Sequence, residues 1–392
     1  MGLWTTHRAP VPEHLLNLDY AAKWLGELQN RARVDDIGCA SSITAGPQLL
    51  DPELPRLMAG PVEDVVAGQR DALLPLWAVL GIVTGVVVLS LLVKLYTVLT
   101  IGKCSSNVDM TGKTVIITGA NTGIGKETAR ELARRNARVI LACRNLVKAR
   151  EAAADICAST GRSVALMQLD LCSLLSVRQF AAQVVANEPR LDVLILNAGM
   201  MSPPSREETE DGFEATFQAN HLGHFLLTHL LLDLLKKSRP SRIVVVGSCG
   251  QLVGRLNTDD LSFGPYWFPL LNYCTTKQCN MLFTVELSKK LAGTGVTVNC
   301  CHPGFVRSEI AVRSTDVQTW LFNQLLSFYG KTVKEGAETT VYLAVSEEVQ
   351  NVSGKYFKDC ASTYAVPWAT NPTAARKLYD ESIRLTQIEE VI

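Results

Sequence analysis

The sequence predicts a doubly wound α/β domain built on a parallel sheet and preceded by one transmembrane helix. Three observations support this fold class. From Lys113 onward, short apolar runs alternate with segments of helical periodicity. A glycine-rich stretch, "TGANTGIG", directly follows the first of these runs. Upstream of both, the segment from Ala72 to Val93 is apolar and carries no charged side chain.

Six apolar runs have the length and composition of buried strands, and the segments between them have helical periodicity. The strands read "KTVIITG", "ARVILAC", "SVALMQLD", "LDVLILNAG", "RIVVVGS" and "GVTVNCCHPG". The predicted helices cover residues 122–135, 146–159, 175–186, 213–236 and 272–291. Continuous apolar strands that alternate with helices are typical of a parallel sheet covered on both faces. Because parallel crossovers are right-handed, we expect a doubly wound arrangement.

The uncharged segment is long enough to cross a bilayer core, which takes about 20 residues at helical rise. Trp77 and Tyr96 lie near its ends, where aromatic side chains favour the membrane interface. Three lysines follow the segment closely and two arginines precede it, which favours a cytosolic C-terminal side. We therefore expect a single-pass membrane protein. The chain divides into a leader (1–71), a transmembrane helix (72–93), a linker (94–110) and an α/β domain (111–392).

The composition excludes several classes of partner. Lys plus Arg and Asp plus Glu number 38 each, without a basic cluster, so we expect no nucleic-acid partner. The eleven cysteines are irregularly spaced, which favours reduced thiols over a disulfide framework. His221, His224 and His229 share one predicted helix without acidic or cysteine partners, so no metal site is expected.

The glycine-rich stretch joins the first strand to the first helix. Glycine lets the backbone approach a pyrophosphate closely, and the helix N-terminus offers it free N–H groups. In doubly wound sheets, ligands bind outside the carboxyl ends of the strands. The spacing G-x-x-x-G-x-G at this place therefore predicts a dinucleotide site. The turn contributes six predicted cofactor-binding residues: Gly119, Asn121, Thr122, Gly123, Ile124 and Gly125.

The ends of the following strands indicate which dinucleotide binds. Arg144 follows the second strand, where an NAD enzyme would carry an acidic residue for the ribose hydroxyls. A guanidinium suits the 2′-phosphate of NADP in charge and geometry, and Lys126 and Lys148 could assist it. NADP is therefore the predicted cofactor. Further cofactor contacts are expected at the ends of the third and fourth strands, from Asp170, Leu171, Asn197, Ala198 and Gly199.

Four polar residues are predicted to meet at the same edge. Ser248 ends the fifth strand, and Tyr273 and Lys277 are one helical turn apart, so they share a helix face. A neighbouring ammonium and a nicotinamide cation would favour the phenolate of Tyr273. The tyrosine would then be an acid or base for a carbonyl or alcohol. Ser248 could hydrogen-bond the substrate oxygen, Lys277 the nicotinamide ribose, and Asn220 a proton-relaying water.

These motifs resemble those of the short-chain dehydrogenases/reductases, a Rossmann-type family, and within it the membrane-bound retinol dehydrogenase group. The resemblance covers residues 112 to about 385 and rests on "TGANTGIG", "LACRN", "LDVLILNAG", "NHLGHFLLT", "VVVGS", "YCTTK", "HPGFVRSEI" and "SGKYFKDC". It implies a catalytic tetrad of Asn220, Ser248, Tyr273 and Lys277. It also implies cofactor contacts from Pro303, Gly304, Val306 and Ser308.

Two features depart from this group. Asn145 stands where these enzymes often carry Asp, and this difference bears on the preference for NADP. The leader is longer than is usual in the group, and its length bears on localisation. We expect the endoplasmic reticulum membrane with the catalytic domain in the cytosol, and a mitochondrial membrane as the alternative.

The predicted substrate is lipophilic. The segments Leu261–Leu271 and Thr319–Gly330 are apolar and are expected to frame the pocket mouth. Retinol or retinal is the first choice by resemblance. A carbonyl reductase for steroids or lipid aldehydes, and a non-catalytic scaffold with the same fold, remain alternatives.

Overall fold

The computed structural model describes residues 62–263, 267–307 and 327–389, and of residues 62–77 it describes the backbone alone. Within these residues, eight strands form one sheet. In chain order they are β1 (Thr114–Thr118), β2 (Arg138–Cys143), β3 (Ala165–Gln168), β4 (Val193–Leu196), β5 (Ser241–Val246), β6 (Val296–His302), β7 (Tyr356–Lys358) and β8 (Ala361–Thr363). The spatial order is β3-β2-β1-β4-β5-β6-β7-β8, with β8 antiparallel to β7 and every other pairing parallel.

Helices cover both faces of this sheet and bury two separate cores. The helices are α1 (Val62–Leu99), α2 (Gly123–Arg134), α3 (Leu146–Thr160), α4 (Leu174–Asn187), α5 (Gly223–Lys237), α6 (Pro269–Lys290), α7 (Val333–Val345) and α8 (Pro372–Thr386). Ile116 of β1 lies in the core formed with α4, α5 and α6, whereas its neighbours Val115 and Ile117 lie in the core formed with α2, α3 and α7. Successive strand residues thus face opposite layers, as a sheet covered on both faces requires. The predicted doubly wound fold is confirmed.

The helix predicted over residues 213–236 is interrupted. One helical turn at Ala215–Phe217 leads into a π-helical turn at Gln218–Leu222, and α5 begins only at Gly223. The carboxylate of Glu214 accepts hydrogen bonds from the amides of Thr216 and Phe217 and so starts the first turn. Single π turns inside helices are often associated with functional sites. Their cause is tertiary contact, so the apolar period alone predicted an unbroken helix.

Helix α6 begins three residues earlier than predicted, at Pro269 in its first turn. Proline suits this position because the first helical N–H groups have no intrahelical acceptor. The sequence also left the C-terminal elements unassigned. There β7 pairs with β6 over only three residues, and α7 begins with a capping box between Thr332 and Glu335. Short strands of this kind have little apolar pattern of their own.

Helix α1 contains the apolar segment. Among the residues whose side chains are described, Ala78–Leu99 is long and apolar enough to cross a membrane, with a mean hydropathy of 2.5 and no burial. The helix continues to Leu99, so the first six residues of the predicted linker are helical. After it the chain packs on the α/β domain, where the buried Met110 donates its amide to the carbonyl oxygen of Arg135 at 2.6 Å.

Asp192, just before β4, ties the beginnings of β1 and β4 together. It is 3% exposed and accepts hydrogen bonds from the amide of Thr114 (3.0 Å), the ammonium of Lys113 (3.0 Å) and the guanidinium of Arg190 (2.6 and 2.7 Å). Burial acts to raise the pKa of this carboxyl, but the three donors together lower it below the usual value.

We expect Asp192→Asn to destabilise the domain by about 2 kcal/mol or more, because charge-assisted hydrogen bonds are lost from a buried group. Thermal unfolding of the full chain in detergent measures the loss. A carboxyl with a lowered pKa stabilises the fold above its unfolded pKa of about 3.9, and this stabilisation disappears as pH falls through the folded value. The gap between variant and wild type should therefore narrow in acid. Asp380→Asn, which removes an exposed carboxylate, is the control and should change little.

Candidate active site

Several predicted site residues lie at the carboxyl edge of the sheet. The glycine-rich turn follows β1, Asn197 follows β4, Ser248 follows β5 and Pro303 follows β6. These strands are consecutive neighbours, in the order β1-β4-β5-β6. The topology therefore brings together residues that are up to 184 positions apart in the chain.

The turn after β1 approaches the end of β4 too closely for a side chain. Gly119 has a φ of +65°, and a Cβ on it would lie 2.9 Å from the Cα of Ala198. A Cβ on Gly125 would lie 2.4 Å from Nδ2 of Asn197. That nitrogen instead donates to the carbonyl oxygens of Thr118 (2.8 Å) and Gly119 (3.3 Å).

Thr118, the last residue of β1, is a site-forming residue that the sequence reasoning missed. Its hydroxyl accepts hydrogen bonds from the amides of Asn197 and Ala198, both at 2.9 Å. It also contacts Nε2 of His224 at 2.9 Å. The sequence signal that could have identified Thr118 was its position directly before the first glycine of the turn. Its hydroxyl holds the end of β4 against the turn.

The structure brings Ser248, Tyr273 and Lys277 together. The Ser248 side chain lies near enough to the Tyr273 phenol to lower its pKa. The Lys277 ammonium lies 5.7 Å from the centre of the Tyr273 ring and donates to the carbonyl oxygen of Val246 at 3.0 Å. Tyr356 of β7 donates its hydroxyl to the Ser248 carbonyl oxygen at 3.1 Å and so fixes the serine from the neighbouring strand. Tyr356 lies in an element that the sequence reasoning left unassigned.

Burial governs the electrostatics of this group. It raises the pKa of Tyr273 to about 12, and the neighbouring Ser248 side chain acts in the opposite direction. Burial also lowers the pKa of Lys277 to about 8. Both shifts disfavour the charged form, because a low-dielectric surrounding solvates charge poorly. The prediction that this ammonium and a nicotinamide cation together favour the phenolate concerns the cofactor complex and stays a prediction.

Asn220 sits on the π-helical turn and is fully buried. Its side-chain oxygen accepts from the amide of Met200 at 2.8 Å, and its side-chain nitrogen donates to the Met200 carbonyl oxygen and to the Thr276 hydroxyl, both at 3.0 Å. Thr276 lies between Tyr273 and Lys277 on α6. Asn220 thus joins the chain after β4 to the helix that carries these two residues.

The residues predicted to select NADP over NAD differ from one another in their exposure and in their contacts. Arg144 is exposed at the end of β2, and within the described residues it has no ion-pair partner. Asn145 accepts from the amide of Lys148 at 3.0 Å and caps the N-terminus of α3. Lys126 forms an ion pair with Asp155 at 2.6 Å, so this carboxylate competes for the assisting role predicted for it.

The remaining predicted cofactor residues flank these groups. Asp170 follows β3 and accepts from the amide of Cys172 at 2.9 Å, and the next residue, Leu171, is buried. The side chain of Val306 is buried and packs on Gly336 of α7, beside Ile124 of the glycine-rich turn. Ser308 lies outside the described residues.

The three histidines are engaged by hydrogen bonds within the fold. The Nε2 atoms of His221 and His229 contact the hydroxyls of Ser382 (2.9 Å) and Tyr379 (2.7 Å) on α8. These contacts connect α8 to the helices on one face of the sheet.

The segment Leu261–Leu271, predicted to frame a substrate pocket, lines a cavity of about 300 Å³ as far as it is described. Leu271 and Thr275 line this cavity from α6. At 100° per residue they point away from the face that carries Tyr273 and Lys277. The cavity therefore opens on the opposite side of α6 from the predicted catalytic groups. The apolar pattern did not distinguish these two faces. Most of the segment Thr319–Gly330 lies outside the described residues.

Comparisons with known proteins agree with this geometry. Residues 113–318 match the family model of the short chain dehydrogenases. Retinol dehydrogenase 11 of Mus musculus is 47% identical over 293 residues, which cover 74% of this chain and 92% of that protein. Retinol dehydrogenase 13 of Homo sapiens is 46% identical over 324 residues, which cover 81% of this chain and 96% of that protein.

Solved structures give the same result. An uncharacterised protein from Mycobacterium paratuberculosis has a TM-score of 0.59 and 34% identity, with coverage of 74% of this chain and 99% of that one. A short chain dehydrogenase from Shigella flexneri, complexed with NADP, has a TM-score of 0.53 and 28% identity. The match covers 65% of this chain and 100% of that one.

The chain belongs to the short-chain dehydrogenase family and, within it, to the group that contains the retinol dehydrogenases 11 to 14. It is accordingly an oxidoreductase with a fold that binds NAD or NADP. The family predicted from the sequence motifs is confirmed.

Gly125→Ala should disrupt the turn. The new methyl group would overlap Asn197 Nδ2, whose hydrogen bonds to Thr118 and Gly119 would be lost. Overpacking of this kind costs about 1–3 kcal/mol. We expect a lower unfolding temperature and at least about tenfold weaker NADPH binding, measured by fluorescence titration. Gly85→Ala is the control, since its Cβ would have nothing within 4 Å. Unchanged NADPH affinity in Gly125→Ala would remove the turn from the cofactor site.

Proposed function

We propose that this protein is a membrane-anchored, NADP(H)-dependent oxidoreductase that interconverts a lipophilic alcohol and its carbonyl compound, with retinol and retinal as the first candidates. The observation that carries the proposal is the proximity of Ser248, Tyr273 and Lys277, with the lysine and the tyrosine on one helix face, at the sheet edge that carries the glycine-rich turn. A non-catalytic scaffold would not require this arrangement.

The residues around the turn fit a dinucleotide. Backbone at Gly119 and Gly125 has no room for a side chain, and Thr122 begins α2 without a side-chain capping hydrogen bond, which leaves the first helix amides open to an anion. Asn121, Gly123 and Ile124 complete the turn. Further contacts are proposed from the flanking strand ends and the segment after β6, namely Asp170, Leu171, Asn197, Ala198, Gly199, Pro303, Gly304, Val306 and Ser308. When bound, the nicotinamide would supply or accept the hydride.

The proposed proton transfer is made by Tyr273. In carbonyl reduction its hydroxyl donates a proton to the substrate oxygen, while the Ser248 hydroxyl hydrogen-bonds the same oxygen. A pKa of about 12 keeps the phenol protonated at neutral pH, ready to act as the acid. Without a bound cofactor the base form is scarce at neutral pH, so the rate of oxidation should rise with pH until the tyrosine of the complex has lost its proton. Lys277 and Asn220 position the tyrosine from its own helix and from the π turn, and Lys277 can also hydrogen-bond the nicotinamide ribose.

Arg144 is the proposed contact for the 2′-phosphate of NADP. It is exposed at the end of β2, the strand that neighbours the turn in the sheet, and the described residues offer it no carboxylate. A guanidinium matches a phosphate in charge and in fork geometry. Solved relatives bound to NADP and to NADPH support this preference.

The substrate and the membrane assignment rest on the relatives and on α1. Retinol dehydrogenases are 46–47% identical to this chain across most of their own length. The segment Ala78–Leu99 would anchor the domain, with the endoplasmic reticulum and a cytosolic active site as the proposed location. A panel of retinal, steroid ketones and aliphatic aldehydes, assayed by NADPH oxidation, separates the candidate substrates. No oxidation of NADPH with any of them would favour the scaffold.

Tyr273→Phe should lower turnover by about 10² to 10⁴, because the ring keeps its packing and only the proton donor is lost. NADPH affinity should change little, since the phenol contacts no phosphate. Tyr364→Phe removes the hydroxyl of a 70% exposed tyrosine and is the matched control. Turnover of Tyr273→Phe within a factor of two of wild type would contradict the proposed chemistry.

Arg144→Ala should weaken NADPH binding by about 10- to 100-fold, the equivalent of one charge-assisted hydrogen bond. NADH lacks the 2′-phosphate and should bind almost as before. Arg144→Asp should go further and reverse or abolish the preference, because a carboxylate repels the phosphate and accepts from the ribose hydroxyl. Arg150→Ala, an exposed arginine on α3, is the control. An equal loss of both dinucleotides in Arg144→Ala would show that the arginine supports the fold instead.

A further inference from the structure

A second cavity, of about 120 Å³, lies where the end of α1 meets the α/β domain. Its walls come from three segments: the last turns of α1, Arg307 after β6, and the residues that lead into α7. None of the residues proposed for catalysis lines it. The apolar side chains Val98 and Ile101 form part of the wall, and the charged side chains Lys94, Arg307 and Lys331 form another part.

Two of these cations, Lys94 and Arg307, form no ion pair with the described residues. Lys331 is paired with Asp359. The Glu335 carboxylate, also in the cavity wall, accepts from the amide of Thr332, and the charges of Lys331 and Lys94 help to lower its pKa. Among the described residues, the Arg307 side chain donates only its Nε–H, to the carbonyl oxygen of Gly330 at 3.2 Å, and its terminal guanidinium nitrogens have no partner. The Lys94 ammonium lies 5.9 Å from the ring centre of Phe328.

The position of Lys94 on α1 suggests what these two cations bind. Lys94 lies in the last two turns of Ala78–Leu99, and Ser90, one turn earlier, is hydrogen-bonded to Tyr329. If this segment spans a bilayer, its end lies at the level of the lipid headgroups. Basic side chains at that level attract anionic lipids. A partly open site beside α1, walled by apolar side chains and by two cations without ion-pair partners, matches a phosphate that carries acyl chains better than a free, fully hydrated ion.

We propose that this cavity binds the phosphate of an anionic phospholipid, held by Lys94 and Arg307. The proposal rests on the membrane anchoring proposed above. The site has a direct connection to the cofactor turn, because Arg307 follows Val306, which packs on Gly336 beside Ile124. A bound headgroup would therefore fix the segment after β6 and make the active site sensitive to the lipid that surrounds α1.

Native mass spectrometry of the full chain in detergent tests the site directly. Phosphatidic acid and phosphatidylcholine with identical acyl chains are added in equal amounts, and the retained adducts are counted. Wild type should retain phosphatidic acid preferentially. Lys94→Gln and Arg307→Gln should each reduce this preference about tenfold, the effect of one charge-assisted contact. Arg307→Lys keeps the charge and should keep part of the preference, which separates loss of the contact from loss of the fold.

Lys103→Gln is the matched control, because it removes an exposed positive charge near the same end of α1 but outside the cavity wall. An equal loss in Lys103→Gln and Arg307→Gln, or no preference in wild type, would overturn the site. Complete displacement of phosphatidic acid by millimolar inorganic phosphate would show a plain phosphate site and overturn the lipid assignment.

Two further measurements keep this proposal separate from the proposed function. Alkaline carbonate extraction should leave the full chain in the membrane pellet. If carbonate releases the chain into the supernatant while the protein still binds phosphatidic acid, the anchoring is contradicted and the cavity assignment stays intact. Full turnover in Tyr273→Phe with an unchanged lipid preference would contradict the chemistry alone.

Discussion

The close contact between the turn after β1 and the end of β4 is the constraint on which the site depends. At Gly119 and Gly125 the backbone lies so near Asn197 and Ala198 that no Cβ can be accommodated. The hydroxyl of Thr118 and the amide of Asn197 fill the remaining space with hydrogen bonds between the two strand ends. Because β1 and β4 also pair directly in the sheet, the turn cannot move away without breaking both sets of contacts.

The same constraint reaches the proposed catalytic helix through a continuous series of hydrogen bonds. The chain after β4 continues to Met200, whose amide and carbonyl groups are both bound by the side chain of Asn220. Asn220 donates to the hydroxyl of Thr276, which itself donates to the carbonyl oxygen of Tyr273 at 2.7 Å. The π-helical turn has a clear role in this series, since it places Asn220 between the strand end and α6. Asn220 and Thr276 are fully buried, so a break at either of them would leave a buried polar group without a partner.

The sequence predicted the elements whose pattern lies in their own residues, and it missed those that depend on contacts with distant residues. The six strands up to β6 were predicted because they are largely apolar, a pattern that lies in each strand's own residues. The edge strand β3 is only partly buried, whereas the other five lie in the core. The three-residue strands β7 and β8 have no such pattern and exist because β6 offers an edge to pair with. The residues of the proposed tetrad were found from motif spacing, whereas Thr118, Met200 and Tyr356 act through backbone contacts that have no spacing rule. Leu271 and Thr275 line a cavity on a helix face that the helical period separates from Tyr273, and the role of this segment at a substrate pocket stays a prediction.

Burial sets the protonation states of the proposed acid and of the lysine beside it. The pKa of Tyr273 rises to about 12 and that of Lys277 falls to about 8, so the surroundings favour the neutral form of both groups. At neutral pH the phenol keeps its proton, and the lysine remains mostly charged while donating to the carbonyl oxygen of Val246. A surrounding that solvates charge poorly also amplifies any charge placed in it, because Coulomb interactions strengthen as the dielectric falls. An oxidised nicotinamide beside the tyrosine would therefore lower its pKa far more than an equal charge in water. The base form of Tyr273 would then become available when the oxidising cofactor is bound, which ties proton transfer to the presence of the hydride acceptor.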